Sequence, residues 1–383
     1  MTSHIRTRVL VLFGGRSSEH EISCLSARGV LGAIDRERYL VTTVGITRDG
    51  RWTLVDGVAP TRAHAMPSVP EDGDTVALVQ TRKGHHLVRF HPASASRLTE
   101  DVDPEALVIG EDLGPIDVCF PVLHGPYGED GTVQGLLASI GVPYVGADVA
   151  SSAIAIDKSA VKRVFSACGL PQTPYLTVRR QAWEDDRAAV LDGIERTLAF
   201  PLFTKPARQG SSIGIRKARD RDELAAGIEE AFGYDRVAIV ERGLEGIREL
   251  ECGVLGNAVV EVTRPGEAVH VGPAFYDYEA KYVSPVELRC PADVPADVAQ
   301  TCMAYAREAY LAIGARGMAR VDFFYDERTG EVLVNEINTI PGLTLASMFP
   351  PVWAAEGLEF RDLIDRLLDL ALEAAQAERR YAP

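Results

Sequence analysis

The stretch VLVLFGGRSSEHEIS, residues 9–23, constrains the fold more than any other part of the sequence. Val9–Phe13 is short, rich in β-branched residues and without a polar face, as expected of a strand buried on both faces of a parallel sheet. Two glycines follow, and then a polar segment in which Ser18 and Glu21 have the spacing of a helix capping box. The stretch therefore predicts the strand–loop–helix beginning of an α/β domain.

The loop after this strand does not have the composition of a phosphate-binding loop. It contains no G-x-G-x-x-G pattern and no lysine after the glycines, and Glu19 and Glu21 would repel a pyrophosphate. Glu19 is not needed for the capping box and lies in the first turn of the predicted helix, where the helix dipole favours a charged carboxylate. The residues leave two alternatives for Glu19: a solvated first-turn acid, or a ligand for an ammonium group.

Composition and charge exclude several classes of function. The chain has 383 residues, enough for two or three domains, and 46% hydrophobic and 25% charged residues, as in soluble globular proteins. Its formal net charge of −15, with no long block of Lys or Arg, argues against a nucleic-acid partner. No apolar run approaches the roughly 18 residues of a membrane span, and the N-terminus lacks a signal-peptide pattern. We therefore predict no membrane partner and a cytoplasmic location.

The order of predicted elements indicates three units along the chain. Residues 1–147 show the strand–helix–strand pattern of an α/β domain, with short antiparallel hairpins inserted at about 50–112. The second unit covers residues 148–240. The third covers residues 241–383 and closes with an amphipathic helix.

A loop rich in glycine and serine follows a lysine in FTKPARQGSSIGIRK, residues 203–217. No helix with a G-K-[ST] signature follows, so the loop is not a P-loop. It combines backbone N–H groups that can approach a phosphate with hydroxyl donors and a positive charge. The residues that carry these features are Gly210, Gly214, Ser211, Ser212 and Lys205. The alternative is an exposed hairpin turn.

The segment GMARVDFFYDERTGEVLVNEINTIPG, residues 317–342, is two β-rich runs joined by a polar DERTG turn. Arg320 and Asp322 share one face of the first strand, and Glu336 and Asn338 share one face of the second. Two carboxylates and an amide oxygen can thus converge, a donor set that suits Mg²⁺ and leaves positions open for phosphates. The alternative is a surface hairpin, although Glu336 has apolar neighbours, where an unpaired acid would be costly.

Five motifs, in this order over nearly the entire chain, resemble those of the D-alanine–D-alanine ligase family of the ATP-grasp superfamily: GGRSSEHEIS, LHGPYGEDGTVQGLL, KPARQGSSIGIRK, FYDYEAKY and NEINTIPGLTLASM. The resemblance implies a three-domain α/β ATP-grasp architecture with an N-terminal Rossmann-like (pre-ATP-grasp) domain. ATP would lie between the sheets of the second and third domains. The implied activity is ATP-dependent ligation of two D-alanines to D-alanyl-D-alanine through an acyl phosphate, for peptidoglycan synthesis.

The resemblance also implies which residues bind the nucleotide and the metal. The residues that would bind ATP are Lys158 and Lys205 at the phosphates, Gly210 and Ser212 in the loop above them, Glu241 at the adenine amino group, Arg242 and Leu244 through their backbone, and Glu249 at the ribose hydroxyls. One additional residue near Ile247 precedes Glu249 in this chain. The residues that would bind a pair of Mg²⁺ ions, which Mn²⁺ can replace, are Asp322, Glu336 and Asn338.

The resemblance implies that Glu19 binds the amino group of the first D-alanine, so the first loop would be an amino-acid site. The implied catalytic residues are Glu19, Ser211 and Tyr282 in a network that orients the nucleophile, and Arg320 and Gly342 at the oxyanion. The implied substrate-binding residues are His124, Lys281, Ser347 and Met348. A lone histidine after a strand is otherwise more often structural.

Three rival functions differ from this one in specific motifs. A D-alanine–D-lactate ligase would share everything except the loop around Tyr282. Another ATP-grasp enzyme should lack GGRSSEHEIS and YDYEAKY. A non-catalytic ATP-binding regulator should have lost a metal ligand or a phosphate lysine, and this chain retains both kinds of residue. The implied partners are D-alanine, ATP and a second copy of the chain, since family members are typically homodimers.

Overall fold

The computed structural model describes residues 6–58, 66–92, 107–270 and 286–380. Within these ranges the chain forms α-helices and four β-sheets. No helix in the described ranges is both long and apolar enough to cross a membrane. The cytoplasmic location stays a prediction.

The first sheet contains the strand predicted at Val9–Phe13. Its elements are the strands Thr7–Gly14 (β1), Tyr39–Ile46 (β2), Trp52–Leu54 (β3) and Val118–Val122 (β7), with the helices His20–Ala33 (α1) and Thr132–Ser139 (α2) in the same part of the chain. The strand order is β3-β2-β1-β7, with β2 and β7 parallel to β1 and β3 antiparallel to β2. Val9 and Leu12 have no exposed surface. These buried parallel strands between helices confirm the α/β class.

The helix α1 begins with a cap that differs from the predicted one. Glu19 occupies the N-cap position, and its side chain makes no capping hydrogen bond. The capping box of Ser18 and Glu21 is wrong, because the Glu21 carboxylate pairs with Arg48 instead. Ser17 orders this turn: its Oγ accepts a hydrogen bond from the Glu19 N–H at 3.0 Å and donates one at 2.7 Å to a carbonyl in the loop after β7.

A separate three-stranded antiparallel sheet lies in the region where the sequence predicts inserted hairpins. Its strands are Val76–Thr81 (β4), Gly84–Pro92 (β5) and Leu107–Ile116 (β6). The beginning of the same region joins the first sheet as β3.

The second sheet is antiparallel, in the order β10-β9-β11-β8. Its strands are Tyr175–Arg179 (β8), Leu202–Pro206 (β9), Arg216–Ala218 (β10) and Val237–Arg242 (β11), and its helices are Arg180–Asp185 (α5), Arg187–Thr197 (α6) and Arg221–Phe232 (α7). Leu202 and Ile228 lie in the core that the sheet shares with these helices. The loop between β9 and β10 contains the glycine- and serine-rich segment.

The third sheet has six strands and carries the predicted metal-binding hairpin at its edge. The order is β15-β14-β12-β16-β17, and β13 pairs with β12. The strands are Arg248–Gly256 (β12), Val260–Val262 (β13), Gly266–His270 (β14), Val286–Arg289 (β15), Gly317–Asp326 (β16) and Glu331–Asn338 (β17). The helices Val149–Ile156 (α3), Lys158–Ala167 (α4) and Ala296–Ala312 (α8) share a core with this sheet.

The last two helices connect the first and third sheets. They are Phe349–Ala354 (α9) and Phe360–Glu378 (α10), the second of which is the predicted amphipathic helix. Leu363 and Leu367 lie in one core cluster with Val11 and Phe13 of β1 and Met318 of β16. This packing brings the loop before α9 against the loops of the first sheet. The domain boundaries at residues 147 and 240 stay a prediction.

Candidate active site

Two cavities, of about 420 and 330 Å³, lie where the three larger sheets meet. Every residue that the resemblance assigns to the site and that lies in the described ranges lines at least one of them, whereas Gly214 of the glycine-rich loop lines neither. Lys281 and Tyr282 lie outside the described ranges. The predicted residues that line only the first cavity are Glu19, His124, Asn338, Gly342, Ser347 and Met348. The predicted residues that line only the second cavity are Lys205, Ser212, Glu241, Arg242, Leu244, Glu249 and Asp322. The predicted residues that line both cavities are Lys158, Gly210, Ser211, Arg320 and Glu336.

The loop of residues 207–215, here called the flap, reaches the first cavity through a hydrogen bond from Ser211 Oγ to the Glu19 carboxylate. Ser211 and Ser212 have φ angles of 48° and 58°, in the left-handed region. This conformation costs roughly 1–2 kcal/mol per non-glycine residue. A Cβ at Gly210 would lie 2.6 Å from Glu19 Oε2, so only glycine permits this approach. The contact between the flap and Glu19 is therefore accompanied by backbone strain at Ser211 and Ser212, as is common in functional loops.

Glu129 is a second acidic side chain at the first cavity and was not among the predicted residues. Its Oε2 accepts a hydrogen bond of 2.7 Å from the Gly125 N–H. Burial is the main cause that raises the pKa of Glu129 to about 8; the Glu19 carboxylate contributes in the same direction, and the Gly125 hydrogen bond opposes the shift. Two acidic side chains around one cavity suit a cationic ligand, whose charge would favour the ionised form of Glu129. The sequence feature that could have identified Glu129 was its position in the motif LHGPYGED, which also contains His124.

His124 lines the first cavity, but both of its ring nitrogens contact protein groups. Nδ1 lies 3.0 Å from the Ile340 carbonyl and must carry the proton, because a carbonyl only accepts. Nε2 lies 2.8 Å from Ser26 Oγ, which in turn accepts the Leu343 N–H at 3.3 Å. Burial lowers the pKa of His124 to about 4, so the ring is neutral near pH 7. His124 thus holds the loop that contains Gly342 and can contact a substrate only through ring carbons.

The loop before α9 supplies the other predicted residues of the first cavity. Ser347 Oγ lies 2.8 Å from Thr344 Oγ1. A Cβ at Gly342 would lie 2.5 Å from Ser347 Oγ, so glycine is needed where the backbone passes this side chain. Met348 is buried, with its sulfur 3.4 Å from the Cys290 sulfur.

Arg320 lies at the boundary between the two cavities, among carboxylates. Its Nε and Nη2 each donate a hydrogen bond of 2.7 Å to Asp322, and Nε also lies 2.7 Å from Glu251. Asp322 and Glu336 are cross-strand partners, as are Arg320 and Asn338. Strand periodicity places each pair on one face of its own strand, and a shift in register between Asp322 and Phe323 brings the two pairs together on the same face. Glu251, which lines both cavities, was not among the predicted residues.

The hairpin residues fit a magnesium site by donor chemistry. Within the described ranges no cluster of three or more His, Cys, Asp or Glu side chains has metal-binding geometry. The predicted set combines Asp322 and Glu336 with Asn338, whose Nδ2 donates to Asp322 at 3.0 Å. Burial is the main cause that raises the pKa of Asp322 to about 7; Arg320 opposes the shift, and Glu251 and Glu336 contribute in the same direction as burial. A divalent cation would relieve this crowding of acids, and carboxylate and amide oxygens are donors that Mg²⁺ accepts.

Two lysines, Lys158 and Lys205, line the second cavity. Lys158 Nζ donates to the Gln209 carbonyl of the flap at 2.7 Å and lies 3.8 Å from Glu336. Lys205 Nζ lies 2.5 Å from Glu241 Oε2. Burial raises the pKa of Lys205's partner Glu241, but Lys205 and Lys162 lower it, and the result is about 2. The cavity can therefore hold a polyanion beside a fixed carboxylate.

Comparison with known proteins bears directly on this site. The family model for the D-Ala–D-Ala ligase C-terminus matches residues 164–369, and that for the N-terminus matches residues 8–147. The chain belongs to the D-alanine–D-alanine ligase family. The predicted family and its three-domain ATP-grasp fold are thereby confirmed.

Individual members of the D-alanine–D-alanine ligase family align with nearly the whole chain. A D-alanine–D-alanine ligase of Paenarthrobacter aurescens is 44% identical over 377 residues, 96% of this chain and 95% of that protein. The solved D-alanine–D-alanine ligase of Coxiella burnetii is 30% identical, with a TM-score of 0.78 over 98% of this chain and 97% of that chain. The solved VanG D-Ala:D-Ser ligase of Enterococcus faecalis is 33% identical, with a TM-score of 0.76 over 96% of this chain and 100% of that chain.

Proposed function

We propose that the first cavity holds the two amino acids and the second holds ATP during ligation. As a member of its family the chain is an ATP-dependent ligase, and it joins two D-alanines to D-alanyl-D-alanine for cell-wall synthesis. One observation carries the assignment of the cavities. A cavity with two acidic side chains, Glu19 and Glu129, continues into a cavity with the ammonium groups of Lys158 and Lys205. The first suits the ammonium end of an amino acid, and the second suits phosphates.

The order of the cavities supports a two-step reaction. A carboxylate does not accept an amine at neutral pH, so the carboxylate of the first D-alanine attacks the γ-phosphate of ATP, giving an acyl phosphate and ADP. The deprotonated amine of the second D-alanine then attacks the acyl carbon, the amide bond forms, and phosphate leaves. Arg320 and the backbone N–H near Gly342 stabilise the tetrahedral oxyanion. Ser347 and Met348 contact the bound amino acid.

The remaining assignments follow the same cavities. Lys158, Lys205, Gly210 and Ser212 hold the phosphates, Glu241, Arg242 and Leu244 hold the base, and Glu249 holds the ribose. Asp322, Glu336 and Asn338 would hold a pair of Mg²⁺ ions, for which Mn²⁺ can substitute. Bound magnesium would supply positive charge to the phosphate oxygens. The homodimer, and the absence of nucleic-acid and membrane partners, stay predictions.

The D-lactate alternative is not favoured, because relatives over 40% identical are named as D-alanine–D-alanine ligases. Lys281 and Tyr282, which the resemblance places at the second substrate, lie outside the described residues. Their roles stay proposals.

The deciding experiment measures ADP release with D-alanine present, absent, or replaced by L-alanine. We expect release that requires both D-alanine and Mg²⁺. Products from mixtures of D-alanine with D-lactate or D-serine, resolved by mass near neutral pH, should be predominantly D-alanyl-D-alanine. Substantial ATP hydrolysis without any amino acid would contradict the ligase assignment, and a predominant depsipeptide would contradict only the second-substrate specificity.

A further inference from the structure

Lys162 is a buried lysine that the reaction outlined above does not use. It lies on α4 four residues after Lys158, so the two side chains leave the same face of the helix. Its side chain is 3% exposed, and its Nζ lies 2.6 Å from Glu241 Oε1. A buried lysine is costly unless its charge is paired, and this pair lies directly behind the second cavity.

The Glu241 carboxylate is paired with two ammonium groups. Lys162 contacts Oε1, and Lys205 contacts Oε2 at 2.5 Å. One carboxylate neutralises one lysine, so the cluster keeps one positive charge. Lys205 lines the second cavity, whereas Lys162 is not among the described residues that line either cavity. Lys205 is therefore the ammonium group of the cluster that a nucleotide would meet, and the charges of Glu336 and Glu249 also act on it.

Lys162 also fixes the orientation and charge of Glu241. Tyr175 is the cross-strand partner of Glu241, and Lys162 Nζ lies 5.1 Å from the centre of its ring. This contact holds the ammonium group between the ring and the carboxylate. Although burial alone raises the pKa of Glu241, Lys205 and Lys162 bring it down to about 2. Glu241 is consequently ionised, and an ionised carboxylate accepts hydrogen bonds but cannot donate them.

We propose that Lys162 is a positioning residue that sets the nucleobase specificity of the second cavity by holding Glu241 as a fixed hydrogen-bond acceptor. The inference rests on the proposed function, in which Glu241 faces the amino group of adenine. Adenine presents an N–H donor at that edge, whereas guanine presents a carbonyl oxygen there. A fixed, ionised carboxylate attracts the first base and repels the second, so it discriminates by both attraction and repulsion.

The experiment measures binding of ATP and of GTP to the purified full chain by isothermal titration calorimetry. The wild type should prefer ATP. Lys162→Met should weaken ATP binding by about 10–100-fold, the size of a lost charge-assisted hydrogen bond, and GTP binding by less. Arg163→Met is the matched control, because Arg163 is the next residue of α4, is exposed, and carries the same charge outside the cluster. It should leave the ATP-to-GTP affinity ratio unchanged.

Two further variants separate positioning from a general loss of structure. Lys162→Arg keeps the charge and should preserve most of the ratio. If Lys162→Met does not fold, the comparison of Glu241→Gln with the double variant Lys162→Met/Glu241→Gln replaces it. Because Lys162 acts through Glu241, both should have the same ATP-to-GTP ratio.

Several outcomes would overturn the proposal: equal affinity of the wild type for the two nucleotides, equal losses for both in Lys162→Met, or independent effects of Lys162→Met and Glu241→Gln. These outcomes do not depend on turnover. D-alanine-dependent ADP release by the wild type tests the proposed function separately.

Discussion

The hydroxyl of Ser211 donates a hydrogen bond to the carboxylate of Glu19, a residue 192 positions away in the sequence. Ser211 belongs to the flap of the second sheet, and Glu19 precedes the first helix of the first sheet. The bond therefore connects the loop proposed to cover the phosphates with the carboxylate proposed to bind the amino acid. Closure of the flap and binding of D-alanine should be coupled through this pair.

Glu19→Gln should raise the KM for D-alanine more than the KM for ATP. The carboxylate is assigned to the substrate ammonium, and a hydrogen bond to a charged group contributes about 1.5–3 kcal/mol, or roughly 10–100-fold in affinity. Steady-state kinetics with D-alanine as the varied substrate is the measurement. The matched control is Glu21→Gln, two residues further on, where the carboxylate pairs with the exposed Arg48. Similar effects of the two changes would show that charge in this loop, and not Glu19 itself, is responsible.

Glu336→Gln should shift the Mg²⁺ dependence of ADP formation to higher concentration. Loss of even an outer-sphere partner of a metal typically costs about 10–100-fold in metal affinity, and a direct ligand should cost at least that. A magnesium titration of D-alanine-dependent ADP release measures the shift, and circular dichroism checks the fold. Glu331→Gln, at an exposed position of the same strand β17, is the control. The metal assignment fails if the two variants have the same magnesium dependence.

The flap should gain protection from hydrogen exchange when ATP and D-alanine bind together. Closure would exclude water from an acyl phosphate, which water otherwise hydrolyses. Peptides covering residues 205–217 are compared with and without D-alanine plus a non-hydrolysable ATP analogue. The same is predicted for residues 275–290, of which 275–285 lie outside the described residues. Peptides from the buried face of α10 should not change, and equal protection of the flap in both states would argue against a lid.

Glu129→Gln should flatten the pH dependence of stability. The pKa of Glu129 is raised in the folded protein from about 4.5 to about 8, so the folded state binds a proton that the unfolded state releases. The stabilisation is fully present below about pH 4.5 and is lost as the pH rises through about 8, with a slope of up to about 1.4 kcal/mol per pH unit. Urea unfolding between about pH 5 and 9 measures the slope. Glu308→Gln, an exposed position on α8, should retain the wild-type slope; a wild-type slope in Glu129→Gln would contradict the raised pKa.

The sequence by itself determined the features that depend on residues near one another in the chain. The apolar run Val9–Phe13 specifies a buried strand because every side chain in it avoids water. The alternation of Arg320 with Asp322, and of Glu336 with Asn338, places these groups on one face because side chains alternate along a strand. The turn between the two strands does not by itself bring the four groups together: a shift in register between Asp322 and Phe323, which strand periodicity does not predict, places Glu336 opposite Asp322 and Asn338 opposite Arg320.

Only the tertiary structure decided which distant groups meet. The neighbours Glu19 and Glu129, and the pair of Lys162 with Glu241, lie on separate elements, and the periodicity of one element does not specify its packing partner. The wrong prediction of a capping box has the same cause. The spacing of Ser18 and Glu21 indicated a local contact, but the Glu21 carboxylate pairs with Arg48, which lies on another part of the chain. Burial is the main cause of the raised pKa of Glu129, to which the Glu19 charge adds. Burial also raises the pKa of Glu241, but Lys205 and Lys162 lower it overall, because charges interact strongly away from water.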